Sequence, residues 1–103
     1  LDITFLVMPP SPSVDAAIRR AFIRGQRLCD RIVRCTVTVT HHEQAAPFHV
    51  TVTIAVPGRA IAVSNDPFRD NVYAALSEAF RAARRQLQDH VRIRRRQVKA
   101  HAS

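Results

Sequence analysis

Residues Phe48–Ser64 read FHVTVTIAVPGRAIAVS. Val50, Val52, Ile54 and Val56 alternate with His49, Thr51, Thr53 and Ala55. A period of two over this length marks a strand buried on one face. Pro57-Gly58 is a turn signal, and Ile61 and Val63 then mark a short strand from Arg59 to Ser64. Upstream, Val33, Cys35, Val37 and Val39 alternate with Arg34, Thr36, Thr38 and Thr40. Apolar rows on one side and threonine rows on the other describe a sheet packed inward on one face and wet on the other.

Working outward, Leu1, Ile3, Phe5 and Val7 alternate with Asp2, Thr4 and Leu6, so a strand is expected over residues 1–7. The prolines of Met8-Pro9-Pro10-Ser11-Pro12-Ser13 stop it, because each removes a donor and fixes φ. Ser11 can cap a helix whose first residue is Pro12. That helix is expected to run to about Cys29, with Val14, Ile18, Ala21, Phe22 and Cys29 on one face and Leu28 at its margin. Gly25 falls on the inward side, where it weakens the helix by up to ~1 kcal/mol but permits close approach. After Asn65-Asp66-Pro67, expected as a loop, a final helix starts near Asp70 or Asn71, either of which can cap it.

The order is therefore β-α-β-β-β-α, an α+β fold. It predicts a four-stranded, mainly antiparallel sheet with two helices packed on one face. The 103 residues form one expected domain over 1–99, with 100–103 as a flexible C-terminal tail. The first residue is Leu1 rather than Met, so residues preceding it are expected.

Charge is the strongest functional signal. The formal net charge is +8 and the isoelectric point about 11.4. Positions 81–103 carry eight of the 16 basic residues against one acid, Asp89. On a helical projection Val72, Leu76, Phe80, Ala83 and Leu87 share one side, with Tyr73 and Val91 at its edge. Arg81, Arg85, Arg92, Arg96 and Lys99 fall opposite, and Arg84 and Arg95 flank them. Arg94 falls on the apolar side, which predicts that the helix overruns its core and ends solvated on all sides. Arg20, Arg24, Arg27 and Arg31 form a second row on the outer face of the first helix. Two cationic faces of nearly single sign point to a nucleic acid, with an anionic membrane surface second. Arginine suits phosphate through its two-pronged donor geometry, but phosphate contacts position a protein without specifying bases.

Other chemistry finds little support. Eight acids are scattered, no Gly-x-Ser-x-Gly occurs, and two glycines cannot build a phosphate-binding glycine loop. No catalysis, cofactor or small-molecule substrate is expected. His41 and His42, in the loop expected after the second strand, and His49 beyond it lack metal-ligand spacing with Glu43 or the cysteines. Cys29 and Cys35 read as reduced thiols of a cytoplasmic protein. Residues 1–8 lack the features of a secretory leader, and no apolar run approaches a membrane span. Tyr73 reads as a core-edge ring with a wet hydroxyl.

Several stretches resemble the ribosome hibernation-promoting factor family. This family is also described as ribosome-associated inhibitor, sigma-54 modulation and ribosomal-subunit-interface proteins. The likeness lies in Val72-Tyr73-Ala74-Ala75-Leu76, Ala83-Arg84-Arg85-Gln86-Leu87, Asp30-Arg31-Ile32 and Val56-Pro57-Gly58, and the element order is similar. Asn71 and Ser77 stand where the family often has acids, and arginines replace many of its lysines. The resemblance implies the short, single-domain form, monomeric off the ribosome. It further implies binding to ribosomal RNA of the small subunit near the decoding region, occlusion of mRNA and tRNA, and inhibition of translation under stress or in stationary phase. The matching cations are Arg20, Arg24, Arg27 and Arg31 first, then Arg81, Arg84, Arg85, Arg92, Arg95, Arg96 and Lys99. Two other functions fit the residues: a regulatory module that binds an acidic protein, and a general binder of double-stranded RNA.

Overall fold

Six elements follow one another: β1 (Asp2–Leu6), α1 (Pro12–Gln26), β2 (Arg34–His41), β3 (Phe48–Val56), β4 (Arg59–Ser64) and α2 (Val72–Ala102). This computed structural model describes residues 1–102, with side chains through Arg96, so the side chains of Lys99 and of the tail expected at 100–103 lie outside that description, while the backbone of 100–102 continues α2. The strands form one sheet in the order β1-β2-β3-β4. β1 runs parallel to β2, and α1 is the crossover between them. β2–β3 and β3–β4 are antiparallel. The α+β architecture and the mostly antiparallel sheet are as the sequence predicts.

The alternation places Cys35, Val37 and Val39 of β2 against the helices, level with Ile54, Val52 and Val50 of β3. Ile61 of β4 and Val14, Ile18, Leu76, Phe80, Ala83 and Leu87 of the helices close the core. Burial pushes the Cys35 thiol up to about 11, because a thiolate would lose its hydration there. Both cysteines are free and buried. The β3–β4 turn uses Gly58 at φ 77°, a conformation open to a residue without Cβ.

Four boundaries differ from expectation. β1 stops at Leu6, and Val7 turns out at φ 59°, 75% exposed, ahead of the prolines. β2 begins at Arg34; Val33 is exposed, though its N–H still donates to the Ala55 carbonyl at 2.8 Å. His41 belongs to β2, opposite Phe48, rather than to the loop. α1 ends at Gln26, not Cys29. There the Leu28 N–H donates to the Gly25 carbonyl at 3.0 Å, tightening the last turn. Leaving the helix carries Cys29 into the core. Ser11 and Pro12 start α1 as expected, with the Ser11 hydroxyl accepting from the Val14 N–H at 3.3 Å.

Asn65 is more than a loop residue. It is 1% exposed, and its Oδ1 accepts from the Val50 N–H at 2.7 Å. Its amide donates to the carbonyls of Phe48 at 3.1 Å and Pro67 at 3.3 Å. Phe48 and Arg69 exchange backbone hydrogen bonds of 2.8 and 3.1 Å beside it. This clamp fixes the approach to α2, which Asn71 caps by accepting from the N–H groups of Tyr73 at 2.8 Å and Ala74 at 3.2 Å.

Candidate nucleic-acid interface

The apolar stripes of α1 and α2 dock on the sheet and leave a seam between the helices. Three shallow hollows run along it. The first, about 230 Å³, is lined by Arg20 and Arg24 of α1 and by Tyr73, Ser77, Arg81 and Arg84 of α2. The second, about 370 Å³, takes Arg24, Arg81, Arg84 and Arg85, with Leu28 and Gln88. The third, about 440 Å³, lies between Arg27 and the pair Arg92 and Arg95. Beyond it, Arg31 and Arg96 line a further hollow. The ten described candidates are thus brought to one continuous strip.

Two placements correct the sequence reading. Arg27 is the C-cap of α1, and Arg31 lies in the connection to β2, so neither sits on a regular helical face. The helix ended early, yet the chain keeps both cations beside α2. Arg94 does not mark an end solvated on all sides: it is half-buried and lines the last hollow with Leu28, Cys29 and His90. His90 itself is buried, which the projection did not single out. Its position three residues after Leu87 and seven after Ala83 was the available signal.

The acids of the helices are mostly occupied elsewhere. Asp15 pairs with Arg19 at 2.6 Å, and Glu78 pairs with Arg69. The Arg69 hydrogen bond holds the Glu78 carboxyl below its ordinary range. Among the described residues, the only site arginine within 4.0 Å of a carboxylate is Arg92, at 3.9 Å from Asp89. The remaining guanidinium groups are free to meet an outside anion. Tyr73 is 46% exposed and lines the first hollow, further out than a core-edge ring.

The histidines form a different cluster at the sheet end. His49 stacks on Phe68 with ring centres 4.4 Å apart, and His42 lies 5.0 Å from the same ring. His41 meets Phe48 edge-on at 5.3 Å. Among the described residues, no three histidines, cysteines or acids gather as metal ligands. No described helix is long and apolar enough to cross a membrane.

Residues 1–95 match the family described as Sigma 54 modulation protein / S30EA ribosomal protein. The chain belongs to this family. It is the hibernation-promoting factor family that the sequence resembles. Solved structures share the fold. A ribosomal subunit interface protein from Coxiella burnetii superposes with a TM-score of 0.74 at 17% identity, covering 86% of this chain and 93% of that one. The Protein Y N-terminal domain from Thermus thermophilus gives 0.70 at 15% identity, covering 87% and 99%. No curated protein matches the sequence. Within the family pattern, the two departures acquire a physical meaning. Asn71 keeps the capping role an acid would fill, and exposed Ser77 leaves the first hollow without a carboxylate.

Proposed function

We propose that the chain is a ribosome hibernation factor of the cytoplasm. It binds ribosomal RNA of the small subunit near the decoding region, through the arginine strip of α1 and α2. Bound there, it blocks mRNA and tRNA and halts translation under stress. The observation that carries this reading is the convergence of the ten candidate arginines on the four hollows of one seam, nearly free of carboxylate partners. The sheet holds the two helices, so their backbones need no ordering on binding; the cost that remains is the rotamer freedom of the exposed arginine side chains. The mechanism is occlusion; no bond is made or broken. Family membership supports the ribosome as the partner, and the density of cations along the seam supports RNA as what it holds.

Sucrose-gradient sedimentation of bacterial ribosomes with the purified chain tests this. Migration with small subunits or whole ribosomes at low salt, lost at high salt, is expected. Each neutralised phosphate contributes roughly 0.7–0.9 to the log–log salt slope. A chain that stays at the top of the gradient at low salt contradicts the reading.

A further inference from the structure

The histidine cluster lies at the end of the sheet where β2 and β4 finish and where β3 and α2 begin, and the arginines of α2 run away from that end. Three of its rings form one group. His49 lies almost flat on Phe68, with planes 17° apart and centres 4.4 Å apart. His42 lies 5.0 Å from the same ring and 6.3 Å from His49, tilted against both. His49 pairs with Thr40 on the outer face of the sheet, away from the helices. His42 is exposed, His49 and Phe68 are half-buried, and none of the three belongs to the buried core.

The charges beside these rings are unlike those of the seam. Glu43 follows His42, and Asp66 and Asp70 each stand two residues from Phe68. All three acids are exposed, and among the described residues none has a cation within 4.0 Å. Arg69 is the one arginine or lysine of segments 42–47 and 65–71, and it is tied to Glu78.

Rings with open faces suit a flat partner that stacks, either a nucleobase or a guanidinium group. The carboxylates decide between them. A strand of RNA would bring a phosphate with every base towards unpaired acids. An ammonium group has the favoured charge but no plane to stack. A guanidinium group stacks on an aromatic face and offers forked donors to a carboxylate at its edge.

We propose that His42, His49 and Phe68, flanked by Glu43, Asp66 and Asp70, form a docking site for an arginine-rich segment of another protein. Arginine planes lie on the rings, and their edges meet the carboxylates. The arginine seam repels such a segment, so it is confined to this end of the molecule. The proposal does not rest on the seam's being an RNA surface.

The test is fluorescence anisotropy of labelled nona-arginine titrated with the full chain at low salt, beside nona-lysine and a labelled single-stranded RNA. Nona-arginine is expected to bind at least about threefold more tightly than nona-lysine, the contribution of stacking. His42→Ser is expected to weaken nona-arginine about threefold and to leave the RNA affinity unchanged. Glu43→Lys is expected to weaken nona-arginine by a similar factor. Both positions are exposed, so neither change is expected to unfold the chain. Absence of nona-arginine binding, equal binding of nona-lysine, or undiminished binding by His42→Ser overturns the proposal. A loss of RNA affinity in His42→Ser also overturns it, because the rings then belong to an RNA surface. Ribosome sedimentation reads the seam alone, so either reading can fail while the other stands.

Discussion

The two halves of α2 are one continuous helix under opposite rules. From Val72 to Leu87 the helix is held by its inner stripe: Ala75, Leu76, Ala79, Phe80, Ala83 and Leu87 are all buried. From Gln88 to Arg96 only His90 is buried, and Arg92, Arg95 and Arg96 are exposed. The first half is anchored by removing apolar surface from water. The second is carried outward by helix continuity, and among the described residues its charge has no carboxylate partner beyond the Asp89–Arg92 contact at 3.9 Å. The same element therefore keeps stability on the inner stripe of its first half and carries cations on its outer face through both halves. Substitutions in the buried stripe of the first half should unfold the protein, and those of the outward arginines in either half should unload it.

The largest expected effect breaks the comparison at its hinge. Leu87→Ala removes a side chain that is 1% exposed where α2 meets the sheet, α1 and Gly25. It should cost about 3 kcal/mol and lower the melting temperature by roughly 12–24 °C. Arg95→Ala, eight positions on, should change stability by no more than about 0.5 kcal/mol. Thermal melts by circular dichroism check both, and similar losses at the two positions would erase the distinction. A smaller effect is expected at the entry to the anchored half. Asn65→Leu leaves the Val50 N–H and the Phe48 carbonyl without their side-chain partner and should cost about 2 kcal/mol. Urea denaturation measures it, and an unchanged midpoint would show that the clamp is not needed.

The smallest effect concerns pH. The folded Glu78 carboxyl titrates below its unfolded value of 4.5 because Arg69 donates to its charged form. Its contribution to stability is present above pH 4.5 and is lost as pH falls through the lower folded value. Glu78→Gln should therefore flatten the stability profile only below about pH 4.5, as followed by melts at stepped pH. An equal slope in both proteins would show that the pair contributes nothing.

Much of this arrangement was legible in the sequence because burial on a regular element repeats with that element's period. Val50, Val52 and Ile54 gave β3 its inner face, and Leu76, Phe80, Ala83 and Leu87 gave α2 its stripe. The Ser11-Pro12 start of α1 was readable because capping is local. The end of α1 was not. Residues 27–29 suit a helix by pattern, and what decides against it is Cys29 reaching the core and the tightened turn at Gly25. Arg27 and Arg31 were selected on a helical face they do not occupy, and they reach the seam because the connection to β2 runs beside α2. Asn65 looked like an ordinary turn residue, since its three partners lie on β3 and the following loop. His90 had the right phase but the wrong polarity for a stripe defined by apolar residues.

The central claim is that the arginine strip binds the ribosome while the anchored half of α2 keeps the fold. The most direct test replaces Arg84, Arg85 and Arg92 together by Ala and measures ribosome co-sedimentation beside a thermal melt. The account predicts that the variant stays at the top of the gradient at low salt and melts with the native chain. A variant that still travels with ribosomes as the native chain does would contradict it.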